Sequence, residues 1–103
     1  MNSKDHECYP GPWPFPDERN VGVYSCCHIL DEDRPILRVT HDEDDGEWQV
    51  LCGELHEASD GRLVCLGCMV SRDPSILILA DLPLGWCADR DSAGDDWVRS
   101  KNE

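Results

Sequence analysis

At 103 residues, 40% of them hydrophobic, the chain has material for one domain and one core. Its 22 acidic against 9 basic residues give a formal charge of −13, and the longest basic cluster is a lone Lys or Arg, so phosphate backbones and anionic lipid surfaces are excluded as partners. Residues 1–7 hold no apolar export segment and the strongest apolar run, Ile76 to Ala80, is far short of the roughly 20 residues that span a bilayer, so the cytoplasm is the expected location.

In chain order, residues 1–20 predict an extended arm. Pro10, Pro12, Pro14 and Pro16 alternate with Gly11, Trp13 and Phe15, which forbids helix and favours polyproline II. Such an arm is expected to lay Trp13 and Phe15 onto a single domain at 21–100. Val21 to Leu30 reads as the first strand, rich in Val, Tyr and Cys. After the polar turn at 31–35, Ile36 to His41 reads as the second strand and Trp48 to Cys52 as the third, joined at Asp45-Gly46, a hairpin signal. Three antiparallel strands in sequence order are the economical arrangement. Residues 53–59 read as loop, Arg62 to Leu66 as a short strand or helix entry, and 67–72 as helix. Asp73-Pro74 is a cap followed by Pro at the first helical position, opening a short helix that Pro83 stops. Residues 84–90 return to an extended path, Trp97 to Arg99 forms a final strand, and 101–103 form a disordered tail. The predicted class is α+β: an antiparallel sheet of about four to five strands with one or two short helices packed on one face. Trp48 and Trp86 are expected to anchor the core.

The chemistry-bearing residues are concentrated in cysteine and histidine. Seven cysteines in a reducing compartment are expected to be mostly free thiols, and an odd count does not close a complete disulfide framework. Cys52 and His56 form a Cys-x-x-x-His, Cys65 and Cys68 a Cys-x-x-Cys, and Cys26-Cys27-His28 lies upstream. Cys52, His56, Cys65 and Cys68 would supply four soft ligands to a tetrahedral zinc. Against that, buried free cysteine packs as a small hydrophobe. Cys65-x-x-Cys68 is also the spacing of a redox pair, which in the thioredoxin arrangement follows a βαβ unit; antiparallel strands are expected before it here. Cys27 and His28, adjacent on a strand, would point to opposite faces. The acidic run 42–47 fails the calcium-loop pattern, because counting back from Gly46 puts His41 first and Cys52 at the closing position. No phosphate loop and no Gly-x-Ser-x-Gly is present.

Trp48 and Gly53, then Asp73-Pro74-Ser75, then Pro83-x-Gly85 followed by Trp86, occur in an order that resembles a family of small bacterial domains of unknown function, some grouped with the immunity proteins of polymorphic toxin systems. The resemblance spans about residues 21–99. In this chain Glu47 stands between Gly46 and Trp48, and the cysteines lie outside the family pattern. Every matched residue has structural work of its own. Trp48 fills the core, Gly53 permits an unusual turn, Asp73 and Pro74 cap a helix, Pro83 ends it, and Gly85 turns Trp86 inward. The resemblance implies a cognate toxin as partner. With no catalytic set in the sequence, the expected function is non-enzymatic protein binding without a cofactor. The acidic hairpin tip (Asp42, Glu43, Asp44, Asp45) would face a basic surface. The alternative is a small zinc-binding protein using the Cys/His set.

Overall fold

A computed structural model describes residues 9–53 and 61–101. Among these residues it is an α+β arrangement of six strands: β1 (Gly22–Cys26), β2 (Arg38–His41), β3 (Trp48–Leu51), β4 (Gly61–Cys65), β5 (Trp86–Asp89) and β6 (Val98–Lys101). Two short α-helices, α1 (Cys27–Glu32) and α2 (Leu66–Arg72), and a 3-10 helix (Pro74–Leu79) complete it. The strands form one sheet in the order β4-β1-β3-β2-β5-β6. Residues 102–103 of the predicted tail, the first eight residues of the predicted arm, residues 54–59 of the predicted loop and Asp60 lie outside the described residues. Lys101, expected in the tail, instead closes β6 opposite Trp86.

The sheet is larger than expected and is mixed. β1 runs parallel to β3, with Tyr24 opposite Gln49, while its other neighbour β4 is antiparallel. The cause lies at residues 27–32. Their sequence continues the strand by propensity, but the chain turns into α1 there and buries Ile29. The helix closes on Asp33, whose left-handed backbone (φ 55°) lets its N–H reach the His28 carbonyl. Arg72 reaches back from α2 to donate to the Ile29 carbonyl at 3.2 Å. Burial of Ile29 and this distant cation on a helix C-terminal carbonyl both favour the helix over the strand that local propensity suggests. With α1 between them, β1 and β2 form no hairpin. Instead the β2–β3 hairpin docks as a unit, β3 against β1.

That hairpin follows its turn chemistry. His41 pairs with Trp48, the Asp42 N–H donates to the Glu47 carbonyl at 2.8 Å and the Gly46 N–H to the Asp42 carbonyl at 3.0 Å. The carboxylates of Asp42 and Asp45 accept from the amides of Asp44 and Glu47, the local bonds that make Asp a turn former. Farther on, the Asp73 carboxylate accepts from the Ser75 N–H at 3.0 Å with Pro74 opening the 3-10 helix, as the Asp-Pro pair predicts. Gly85, with φ 81°, enters β5 where a β-carbon would meet Glu43 Oε1 at 3.0 Å.

Trp48 is 1% exposed and lies in the core with Val23, Ile29, Val50, Leu66, Met69, Ile76 and Leu79. Trp86 is half-buried and packs against this cluster from its rim. The second core anchor comes instead from the proline-rich segment. Phe15 is buried with its ring edge-on to Trp48 at 5.3 Å between centroids, and the Trp48 indole donates to Asp17 at 2.7 Å. Trp13 tilts against Phe15. Across the sheet, Arg38 of β2 pairs with Asp89 of β5 at 2.8 Å. Burial works against the Arg38 charge, but the hydrogen bond and charge of Asp89 outweigh it and raise the group above its ordinary value. The Arg99 guanidinium, bonded at 2.7 Å, holds the exposed Asp81 carboxyl below its ordinary value. No described helix is long and apolar enough to cross a membrane.

Ser25 of β1 is 1% exposed, and its hydroxyl has no hydrogen-bond partner among the described residues. A buried unsatisfied hydroxyl costs on the order of 1–3 kcal/mol, so Ser25→Ala is expected to raise stability by about 1 kcal/mol, measured as a later urea midpoint at unchanged slope.

Candidate metal centre

Three soft donors converge where β1 and β3 end. Cys26 is the last residue of β1 and the N-cap of α1, His28 sits in the first turn of α1, and Cys52 follows the last residue of β3. The parallel pairing of Tyr24 with Gln49 brings these two strand ends side by side. Cys26 and Cys52 are buried at 1% and 2% exposure, and His28 is half-buried. One ligand atom from each of the three residues lies within 4.8 Å of the others, and Cys52 Sγ approaches His28 Nδ1 to 3.7 Å. A tetrahedral zinc with Zn–S of about 2.3 Å and Zn–N of about 2.0–2.1 Å sets its sulfur and nitrogen ligands about 3.6 Å apart. The observed sulfur–nitrogen approach matches that spacing. Two thiolates and an imidazole suit zinc and other borderline-soft cations, and do not suit calcium or magnesium.

The turn into α1 creates this arrangement. On a continued strand Cys26 and His28 would share one face, while the register of Tyr24 with Gln49 would set Cys27, on the other face, opposite Cys52. Turning into α1 after Cys26 instead leaves His28 Nδ1 3.7 Å from Cys52 Sγ. Gly53, with φ 84°, then turns the chain immediately after Cys52.

Of the zinc ligands predicted from spacing, Cys52 belongs to this cluster. Cys65 and Cys68 are joined to each other in a disulfide, and His56 lies outside the described residues. Spacing alone misses Cys26 and His28, because the pairs of familiar spacing lie elsewhere. Their signal, a Cys-x-His at the end of a β-rich run, gains meaning only from the parallel neighbour strand. Cys27 and His28 lie on a helix and not on a strand, so strand alternation does not decide their directions. Cys26, Cys27, Cys52 and Cys87 carry their sulfurs as thiols. The hairpin-tip acids stand elsewhere: Asp42, Glu43 and Asp44 line a recess of about 320 Å³ with Arg38, Thr40, His41 and Gln49, and Asp45 is exposed beside it in sequence. The matched motif residues are structural: Trp48 is core, Asp73 and Pro74 start the 3-10 helix, exposed Pro83 follows it, and Gly85 leads into β5.

No family model matches the chain, and neither does any curated protein or solved structure.

Proposed function

We propose that this is a small zinc-binding protein whose metal is held by Cys26, His28 and Cys52. The carrying observation is the convergence of two buried sulfurs and an imidazole within 4.8 Å at the ends of two neighbouring strands. Three protein donors leave one tetrahedral position for a fourth donor or a water. The metal would tie the end of β1, the first turn of α1 and the end of β3 together. In so small a domain such a staple supplements a core of limited size. Protein prepared under reducing conditions without chelator is expected to carry about one equivalent of zinc by elemental analysis. Less than about a tenth of an equivalent, persisting after zinc is added and excess removed, would falsify the assignment.

A second reading, protein binding of the immunity-like kind, is supported by the recess that Asp42, Glu43 and Asp44 line with polar neighbours. The partner would be a protein with a basic surface, such as a cognate toxin. Its attraction to the exposed tip would be long-ranged and screened by salt. Affinity capture from source cells at low salt is expected to recover a basic protein that is lost as salt is raised. Capture of no protein partner, or of one indifferent to salt, counts against this reading.

A further inference from the structure

The second sulfur pair lies apart from the zinc ligands and has its own setting. Cys65 ends β4, an edge strand of the sheet, and Cys68 lies in the first turn of α2. Their sulfurs are joined. Closing so short a loop removes little freedom from the unfolded chain, so the bond is a weak staple compared with a disulfide between distant segments. Its surroundings suit exchange better. Cys68 is 7% exposed, while Cys65 is only partly covered. Both residues line a recess of about 500 Å³, with Gly22, Leu63 and Val64 among its walls and one charge of each sign, Arg62 and Asp31. That volume lies in the range of small-ligand sites. Leu63, directly before Val64 on the edge strand, is 73% exposed. The Cys68 backbone N–H donates to Cys65 Sγ at 3.2 Å, a bond that favours negative charge on that sulfur when the pair opens.

We propose that Cys65 and Cys68 form a redox-active dithiol–disulfide pair that exchanges with low-molecular-weight thiols of the glutathione class, with Cys65 as the exchanging sulfur and Cys68 as the resolving one. In the reductive direction an external thiolate attacks Cys65 Sγ. The Cys65–Cys68 bond breaks, a mixed disulfide forms on Cys65, and Cys68 leaves as a thiolate that takes a proton. A second external thiolate attacks the external sulfur of the mixed disulfide and releases Cys65 as a thiolate, which also takes a proton. Two external thiols become one external disulfide, and the protein gains two electrons and two protons. The reverse sequence starts with the Cys65 thiolate on an external disulfide and ends when Cys68 displaces the external thiol.

Tryptic cleavage after Arg62 and Arg72 yields the peptide Leu63 to Arg72, which contains Cys65 and Cys68 and no other cysteine. The folded protein is equilibrated with graded mixtures of reduced and oxidised glutathione, quenched, alkylated and digested. The peptide is expected to pass reversibly between disulfide and doubly alkylated forms, with native circular dichroism throughout. In Cys68→Ser, oxidised glutathione is expected to leave a mixed disulfide on Cys65, at least about tenfold more than on Cys68 in Cys65→Ser. The proposal is overturned if the disulfide opens only when the protein unfolds, if the reduced pair stays reduced in excess oxidised glutathione, or if the two variants form adducts equally. Loss of native circular dichroism in a variant moves the decision to the unsubstituted protein, whose reversibility decides alone. Because Cys26 and Cys52 lie on other peptides, a failed zinc assignment leaves this readout intact.

Discussion

Zinc added to reduced, metal-free protein is expected to raise the thermal midpoint by about 15–30 °C when free metal stands about a thousandfold above its dissociation constant. Binding to the folded state alone contributes about 4 kcal/mol under that condition, and in a domain of this size each kcal/mol moves the midpoint by roughly 4–8 °C. The gain should vanish with a chelator and return with zinc. Cys26→Ser and Cys52→Ser are expected to remove most of it. Each puts a hydroxyl in a buried place, which without metal costs on the order of 1–3 kcal/mol, so the metal-dependent part is separated by comparing chelated samples. His28→Ala, at a half-buried position, disturbs packing least and gives the cleanest comparison. Equal stabilisation of all three variants by zinc would sink the assignment, because metal held elsewhere is indifferent to these residues.

The second large effect centres on Arg90. Its side chain is 2% exposed, and its donors are satisfied from several directions. Nε donates to the Ile36 carbonyl at 2.9 Å, Nη1 to Ser75 Oγ at 3.2 Å, and Nη2 to the Asp73 carboxylate in a short bond. Its guanidinium lies 4.3 Å from the Trp97 ring centroid, whose indole also donates to Ser75 at 3.2 Å. Asp73→Ala is therefore expected to cost about 3–5 kcal/mol, leaving a buried cation without its counter-charge, with about 1 kcal/mol more from the lost cap. Arg90→Met should cost less, about 2–3 kcal/mol, since it removes the charge and leaves a carboxylate that is 23% exposed and still capping Ser75. Arg90→Lys should not restore stability, because an ammonium cannot reproduce the planar fork. Urea denaturation of the three variants measures this order. If Asp73→Ala and Arg90→Met each cost less than about 1 kcal/mol, the cluster is not the tie between the 3-10 helix and the end of β5 that its geometry describes.

Where the chain announces its turns, the fold is legible in the sequence. Asp45-Gly46 and Asp73-Pro74 carry their hydrogen-bonding logic in the residues themselves, and both act as the local chemistry dictates. The α+β class follows from the same signals. What escapes is decided at a distance. Cys27 to Glu32 forms a helix whose end is satisfied by Arg72, 43 residues beyond Ile29. Without that helix an antiparallel run of neighbours is the simplest pairing; with it, β1 lies parallel to β3. The candidate site depends on this one reversal, since Cys52 and His28 are 24 residues apart and meet only through it. Sequence spacing draws attention to Cys65 and Cys68 as metal ligands, whereas the structure bonds them to each other. Size alone points to Trp86 as a core anchor, yet it packs only partly buried against the core, while Phe15, expected to lie on the domain from its proline-rich arm, does so as the buried ring beside Trp48.

The parallel pairing of β1 with β3 also has a kinetic side. β2 and β3 meet through a short loop, whereas β1 must wait for partners far along the chain in both β3 and β4. Contacts of such long separation form late, since the closure entropy is lost before the pairing repays it. The cluster of Cys26, His28 and Cys52 is completed only when β1 has docked, so its metal would act on the native side of the folding barrier. Zinc should then leave the refolding rate nearly unchanged and slow unfolding instead, lengthening the lifetime of the folded chain.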